Sequence, residues 1–210
     1  MAIKDFNLGP LETNCYVLYD NSYALAVDPG GDPAQVVRFL KAKRLTLLAI
    51  LNTHLHFDHI LGNAALHAAT GAPIRTPEGD AYLMESELGM GGMWGFPKVP
   101  EFESTPLSDG EYSFGPFLCR VLHTPGHSPG SLCFAVLAEH AVFVGDLIFY
   151  RGVGRTDFPG GDAQTLLHSI QTKIFTLPGD THLYPGHGLP STVADEQRNN
   201  PYCVFFEGKR

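Results

Sequence analysis

The sequence predicts an α/β protein. The apolar run Leu47-Leu48-Ala49-Ile50-Leu51 reads as a buried strand. The segment from Asp58 to Ala69, with Ile60, Leu61, Ala64, Ala65 and Ala68 apolar, reads as a helix stopped by Gly71 and Pro73. Between them lies Thr53-His54-Leu55-His56-Phe57-Asp58-His59, so three imidazoles and a carboxylate fall where a core strand hands over to a helix. In α/β proteins the carboxyl ends of strands are where ligands bind.

At 210 residues, 44% apolar and 17% charged, the chain is expected to be one globular domain over residues 1–210 with a substantial core. A formal net charge of −8 argues against a nucleic-acid partner, which calls for a basic stripe. No apolar span is long enough for a membrane helix, and Met1-Ala2-Ile3-Lys4-Asp5 does not begin a signal peptide. Cys15, Cys119, Cys133 and Cys203 are scattered, and most lie in apolar runs or beside aromatics. Buried free thiols in a reducing cytoplasm are expected, with no membrane partner.

From the N-terminus, Asn14–Tyr19 and Tyr23–Asp28 read as paired strands around a turn at Asp20-Asn21-Ser22. Asp28-Pro29-Gly30-Gly31 turns the chain into a helix from Pro33 to about Arg44, with Asp32 as N-cap. Asp28 either supports a ligand from behind or is a plain turn residue. Gly71–Ile74 reads as a short strand. Residues 78–100, rich in glycine around Met90, Met93 and Trp94, read either as a mobile loop flanking a site or as a packed cover. Gly110–Phe114 and Phe117–Leu122 read as strands of a second sheet. Ala141-Val142-Phe143-Val144-Gly145-Asp146 is an apolar strand running into a carboxylate, unfavourable for a core unless the charge is paired or metal-bound.

Side chains two apart in an extended segment point the same way, so His54 and His56 can converge on one metal ion. Asp58 and His59 lie further into the helix start and can serve a second ion. A simple N-cap accounts for Asp58 but leaves three histidines unexplained.

His-x-His-x-Asp-His after a hydrophobic strand resembles the metallo-β-lactamase superfamily. The resemblance continues through Thr124-Pro125-Gly126-His127-Ser128, Gly145-Asp146 and Tyr184-Pro185-Gly186-His187. It implies a four-layered αβ/βα sandwich of two mixed sheets flanked by helices. It assigns His127 to the ion held by His54 and His56, His187 to the ion held by Asp58 and His59, and Asp146 as a bridge. Two divalent ions are implied, with zinc expected and iron or manganese as alternatives, since all donors are nitrogen or oxygen. A bridging hydroxide, oriented by Asp58, is the implied nucleophile.

The run Gly152-Val153-Gly154-Arg155-Thr156-Asp157-Phe158 is similar to glyoxalase II-like and persulfide dioxygenase-like proteins. In glyoxalase II the corresponding loop carries a cation that contacts glutathione, which places Arg155 as substrate-binding; a structural tie to Asp157 is the alternative. The tail Thr192–Pro201 resembles the short ending of compact bacterial type II glyoxalase II-like proteins. The implied function is a hydroxyacylglutathione hydrolase-like thioesterase acting on a small, glutathione-linked thioester. The rival is a mononuclear iron dioxygenase of glutathione persulfide, with His54, His127 and Asp146 as a facial triad. Asp146 also stands where class B1 β-lactamases use a cysteine.

Overall fold

The computed structural model describes residues 1–202, apart from the side chain of Trp94. The chain divides into two compact units, residues 1–107 with 113–118, and residues 108–112 with 119 onward.

In the first unit β1 (Ala2–Leu8), β2 (Thr13–Tyr19) and β3 (Tyr23–Val27) are antiparallel neighbours. Helix α1 (Ala34–Lys43) returns the chain so that β4 (Thr46–Leu51) lies parallel to β3. Helices α2 (Phe57–Ile60) and α3 (Asn63–Thr70) lead to β5 (Ile74–Pro77), and α4 (Glu87–Met90) precedes β6 (Thr105–Leu107). The strands form one mixed sheet in sequence order. Strands β3 and β4 are nearly continuous apolar runs because almost every side chain in them is buried or half-buried. Val36 and Leu40 of α1 and Leu66 of α3 close the core over Val17, Ala26, Ile50 and Ile74.

The single helix expected over Asp58–Ala69 is two helices. Gly62 breaks it: its N–H donates to Pro29 O at 2.7 Å, and a Cβ there would lie 2.2 Å from Gly31 O. Helix α1 starts at Ala34 rather than Pro33, with Asp32 Oδ1 accepting from Ala34 N at 3.0 Å. The strand expected at Gly71–Ile74 begins only at Ile74, because Gly71 is spent as the left-handed cap of α3 at φ 73°. Residues 78–100 contain a 3₁₀ helix (Glu78–Glu85) and α4, and Leu83 is buried against Leu55 and Ile60. The packed-cover reading describes that part of the segment.

In the second unit β7 (Gly110–Phe114), β8 (Phe117–His123), β9 (Leu132–Val136) and β10 (Ala141–Gly145) are followed by a small hairpin, β11 (Ile148–Phe149) and β12 (Gly152–Val153). Helix α5 (Ala163–Ser169) runs into a π-helical turn, and β13 (His182–Pro185), β14 (Ser191–Thr192) and α6 (Val193–Asn199) complete the described fold. The second mixed sheet has the order β14-β13-β10-β9-β8-β7 and includes the ends of β7 and β8 that cluster with the first unit. Strand β13 is parallel to β10, while β9 and β14 are antiparallel to their neighbours. Leu166, Ile170 and Ile174 bury one helical face against Val142, Val144 and Leu183. Asp162 and Thr192 cap α5 and α6, accepting from Thr165 N at 2.7 Å and Asp195 N at 3.3 Å.

Cys15, Cys119 and Cys133 are buried free thiols, as expected, and Cys203 lies outside the described residues. Among the described residues no helix is long and apolar enough to cross a membrane.

Candidate metal centre

Each unit carries its own cluster of imidazole and carboxylate side chains of the kinds that can hold a metal, and each cluster is built at the carboxyl ends of two adjacent parallel strands. In the first unit those strands are β3 and β4, with Val27 beside Leu51. The residues that follow, Asp28 and Asn52-Thr53-His54, therefore meet. Asp28 Oδ1 accepts from Thr53 N at 2.8 Å and Oδ2 from Thr53 Oγ1 at 2.6 Å. Asp28 Oδ2 also lies 2.9 Å from His59 Nδ1. Asp28 thus does more than turn the chain: it holds Thr53 and the His59 ring.

These contacts decide where the protons sit. A carboxylate only accepts, so His59 carries its proton on Nδ1 and keeps the Nε2 lone pair for a ligand. The Thr53 hydroxyl spends its proton on Asp28, so Thr53 Oγ1, 3.1 Å from His54 Nδ1, accepts from that nitrogen. His54 Nε2 is thereby left as a donor to metal as well. The His54 ring lies 4.6 Å from that of His56 and 4.0 Å from that of His59, centroid to centroid. The convergence of His54 and His56 expected from their spacing is present.

Asp58 accepts from Thr13 Oγ1 at 3.3 Å, and its Oδ2 is 3.6 Å from His59 Nε2. His54, His56, Asp58 and His59 are all buried. The spacing of Asp58 from His59 is too long for a hydrogen bond. It is close to the edge of a coordination polyhedron, since ligands about 2.1 Å from a tetrahedral ion stand about 3.4 Å apart.

In the second unit β10 and β13 run parallel with Gly145 beside Pro185, and Gly186 N donates to Gly145 O at 2.8 Å. This brings Asp146 and His187 side by side, with His187 Nε2 3.7 Å from Asp146 Oδ2. His127 joins them from the turn between β8 and β9, its Nε2 3.6 Å from the same oxygen. The turn is tied by Ser128 Oγ and Ser131 Oγ at 2.6 Å. Leu166 packs so close to Gly126 that a Cβ there would lie 2.3 Å from its backbone. His127 Nδ1 donates to Arg155 O at 2.8 Å, which again turns Nε2 toward the carboxylate. One carboxylate oxygen faced by two imidazole Nε2 atoms at such distances suits a shared cation. The donor set fits a borderline divalent metal.

The Arg155 guanidinium is engaged by Asp157, donating from Nε at 2.7 Å and from Nη2 at 2.6 Å, and it lies 3.9 Å above the Phe158 ring. The tie to Asp157 weighed from sequence is present. Both side chains are more than half exposed, at 56% and 65%, so the pair is weakly held.

Three contributors were not read from sequence. Thr53 relays Asp28 to His54, Thr13 contacts Asp58, and buried Asp80 accepts from Leu55 N at 3.2 Å between the two first histidines. Thr53 directly precedes His54, and that adjacency is its only sequence signal.

The model of the metallo-beta-lactamase superfamily matches residues 8–187. A probable metallo-hydrolase of Bacillus subtilis is 39% identical over 98% of this chain and 99% of its own length. A hydroxyacylglutathione hydrolase, GloC, of Haemophilus influenzae is 33% identical over 96% of this chain and 98% of its own. Among solved structures, a B3 metallo-beta-lactamase, BLEG-1, superposes with a TM-score of 0.91 at 38% identity, covering 97% of this chain and 100% of that one. A di-iron-bound protein, TTHA1623, follows at 0.86 and 36% identity over 95% and 99% of the two chains. ETHE1 from Myxococcus xanthus is similar at 0.75 and 28% identity over 100% and 91%.

Proposed function

Because the chain belongs to the metallo-β-lactamase superfamily and has that family's fold of two mixed sheets flanked by helices, we propose that it is a metal-dependent hydrolase of a small thioester, of the S-hydroxyacylglutathione type. The two units act as one domain. His54, His56 and His127 hold one divalent ion, Asp58, His59 and His187 a second, and Asp146 is shared. Zinc is the proposed metal; iron and manganese suit the same donors. Bound there, such ions lower the pKa of a water towards 7 and stabilise an anionic tetrahedral intermediate.

The observation that carries this reading is the proton placement. His54, His59 and His127 are each held through Nδ1 by Thr53, Asp28 and Arg155 O, which leaves Nε2 as a lone-pair donor in all three. The protein's other contributions follow from the same geometry. Asp58 orients the attacking water as an acceptor. Arg155 exchanges its exposed Asp157 partner for a carboxylate of the substrate. The thiolate leaving group needs little general-acid assistance. The likeness to GloC supports the thioester class. A small-molecule substrate, no nucleic-acid or membrane partner and a cytoplasmic location belong to the same proposal.

The likeness to ETHE1 supports a second reading, a mononuclear iron dioxygenase of glutathione persulfide using His54, His127 and Asp146. The deciding experiment is hydrolysis of S-lactoylglutathione by protein reconstituted separately with zinc, manganese and iron, with nitrocefin and glutathione persulfide assayed alongside. Turnover of the thioester near about 10 per second supports the hydrolase. Oxygen uptake with the persulfide in the iron form, without thioester turnover, replaces it with the dioxygenase. Turnover confined to the β-lactam overturns both.

A further inference from the structure

The tight turn Tyr150-Arg151 that closes the β11–β12 hairpin is held by the last helix through a buried carboxylate that the proposed chemistry does not use. Glu196 is fully buried, and its Oε2 accepts from Arg151 N at 3.0 Å while Oε1 accepts from Arg151 Nη1 at 2.9 Å. Asn200, also fully buried, donates from Nδ2 to Glu196 Oε2 at 2.8 Å and to Gly152 O at 2.9 Å. Its Oδ1 accepts from Tyr202 N at 3.1 Å, so both ends of the amide are committed. Arg151 itself sits at φ 61°, a conformation that a residue with a Cβ holds only where its surroundings over-determine it. Asp195 supplies a second carboxylate to the same guanidinium at 2.9 Å.

A charge buried this deeply is destabilising unless it is paired, and here every named partner of Glu196 lies on the hairpin or on Asn200. The hairpin in turn carries the loop beneath the second-unit cluster. Gly154 N donates to Leu147 O at 3.2 Å, and a Cβ on Gly154 would lie 1.7 Å from Asp146 O and 3.4 Å from His127 Nδ1. One residue later, Arg155 O receives the His127 Nδ1 proton.

We propose that Glu196 and Asn200 are positioning residues that clamp the β11–β12 hairpin and so hold the Arg155 carbonyl against His127. This rests on the reading of His127 and Asp146 as metal ligands, and it adds a named device that sets the direction of the His127 lone pair. The residues act through the backbone and touch neither ligand nor substrate.

The test is ring N–H exchange in zinc-loaded protein, followed by long-range proton–nitrogen NMR of the imidazoles. His127 reports the clamp, and His59, held by Asp28 in the other unit, is the internal control. Asn200→Ala is expected to speed exchange of the His127 Nδ1 proton about tenfold or more, with His59 within about twofold of the unsubstituted protein. Unchanged His127 exchange overturns the proposal, and so does an equal change at both histidines, which signals general loosening. Should Asn200→Ala not fold, Glu196→Gln carries the same criterion, because it keeps the side chain's size while removing the charge that accepts from Arg151 N and Asn200 Nδ2. Zinc content of the same unsubstituted sample separates the two layers. Failure to bind zinc overturns the metal-ligand reading, while the His127 exchange then decides the clamp in metal-free protein.

Discussion

Asp28 Oδ2 lies 2.9 Å from His59 Nδ1 and 2.6 Å from Thr53 Oγ1, so a single buried carboxylate sets the tautomers of two histidines, one directly and one through a hydroxyl. Asp28 holds this post at φ 50°, a backbone conformation that aspartate and asparagine tolerate better than other residues with a Cβ. Asp28→Asn therefore keeps the fold but presents a weaker acceptor. Metal affinity is expected to fall about 10–100-fold, measured by chelator competition. Affinity equal to that of the unsubstituted protein would detach Asp28 from the site.

Asp146 is faced by His127 Nε2 and His187 Nε2 at 3.6 and 3.7 Å. Asp146→Ala is expected to remove bound metal and thioester hydrolysis together. Metal analysis by plasma emission and a steady-state assay on one preparation check this. A metal-loaded, active variant sinks the shared-ligand assignment.

Gly154 and Gly152 separate crowding from conformational freedom. A Cβ at Gly154 would meet Asp146 O at 1.7 Å, whereas one at Gly152 has Phe149 Cβ as its nearest atom at 3.7 Å. Gly154→Ala should lower the melting temperature by several degrees, since overpacking costs about 1–3 kcal/mol. Gly152→Ala should leave it nearly unchanged, and equal melting curves for the two variants would show the loop yields freely.

Arg155 holds the Asp157 carboxyl down to about 2, chiefly through its side-chain hydrogen bonds. A depressed carboxyl makes a stabilising contribution above its ordinary value near 3.8 and loses it as pH falls through about 2. Carbon NMR should place the Asp157 midpoint near 2 and return it toward 3.8 in Arg155→Ala. The same variant should raise KM for glutathione thioesters far more than it alters metal content. An unchanged KM leaves Arg155 as the loop's tie alone.

Burial pushes the Cys119 thiol up to about 12, and burial followed by the neighbouring Asp28 charge pushes Cys15 up still further. Thiolate is the reactive form, so both should resist iodoacetamide near pH 8 in the folded protein and react after denaturation. Peptide mass spectrometry distinguishes the sites. Ready alkylation of either in the folded state would contradict its burial.

The central strands and the ligands proposed at His54, His56, Asp58 and His59 were legible from local pattern, whereas His127, His187 and the sharing of Asp146 came from resemblance to the superfamily's motifs. Continuous apolar runs such as Leu47–Leu51 and Ala141–Val144 report burial directly, the first running into Asn52 and the second, past Gly145, into Asp146, which a core cannot hold alone. Edge strand β1 was not legible, because its side chains are mostly exposed or half-buried and its partner, β2, is chosen by hydrogen bonding rather than hydropathy. Strand β6 spans only three residues and carries no period.

What the sequence determined by itself is therefore the chemistry on offer: the imidazoles and carboxylates, their order along the chain, and their placement at strand ends, because residue type and spacing are local properties. What only tertiary structure decided is how those groups are held. Asp28 reaches His59, Glu196 reaches Arg151 and Arg155 O reaches His127 across 31, 45 and 28 positions. Contacts at such separations are set by strand register and helix packing, which no local pattern encodes.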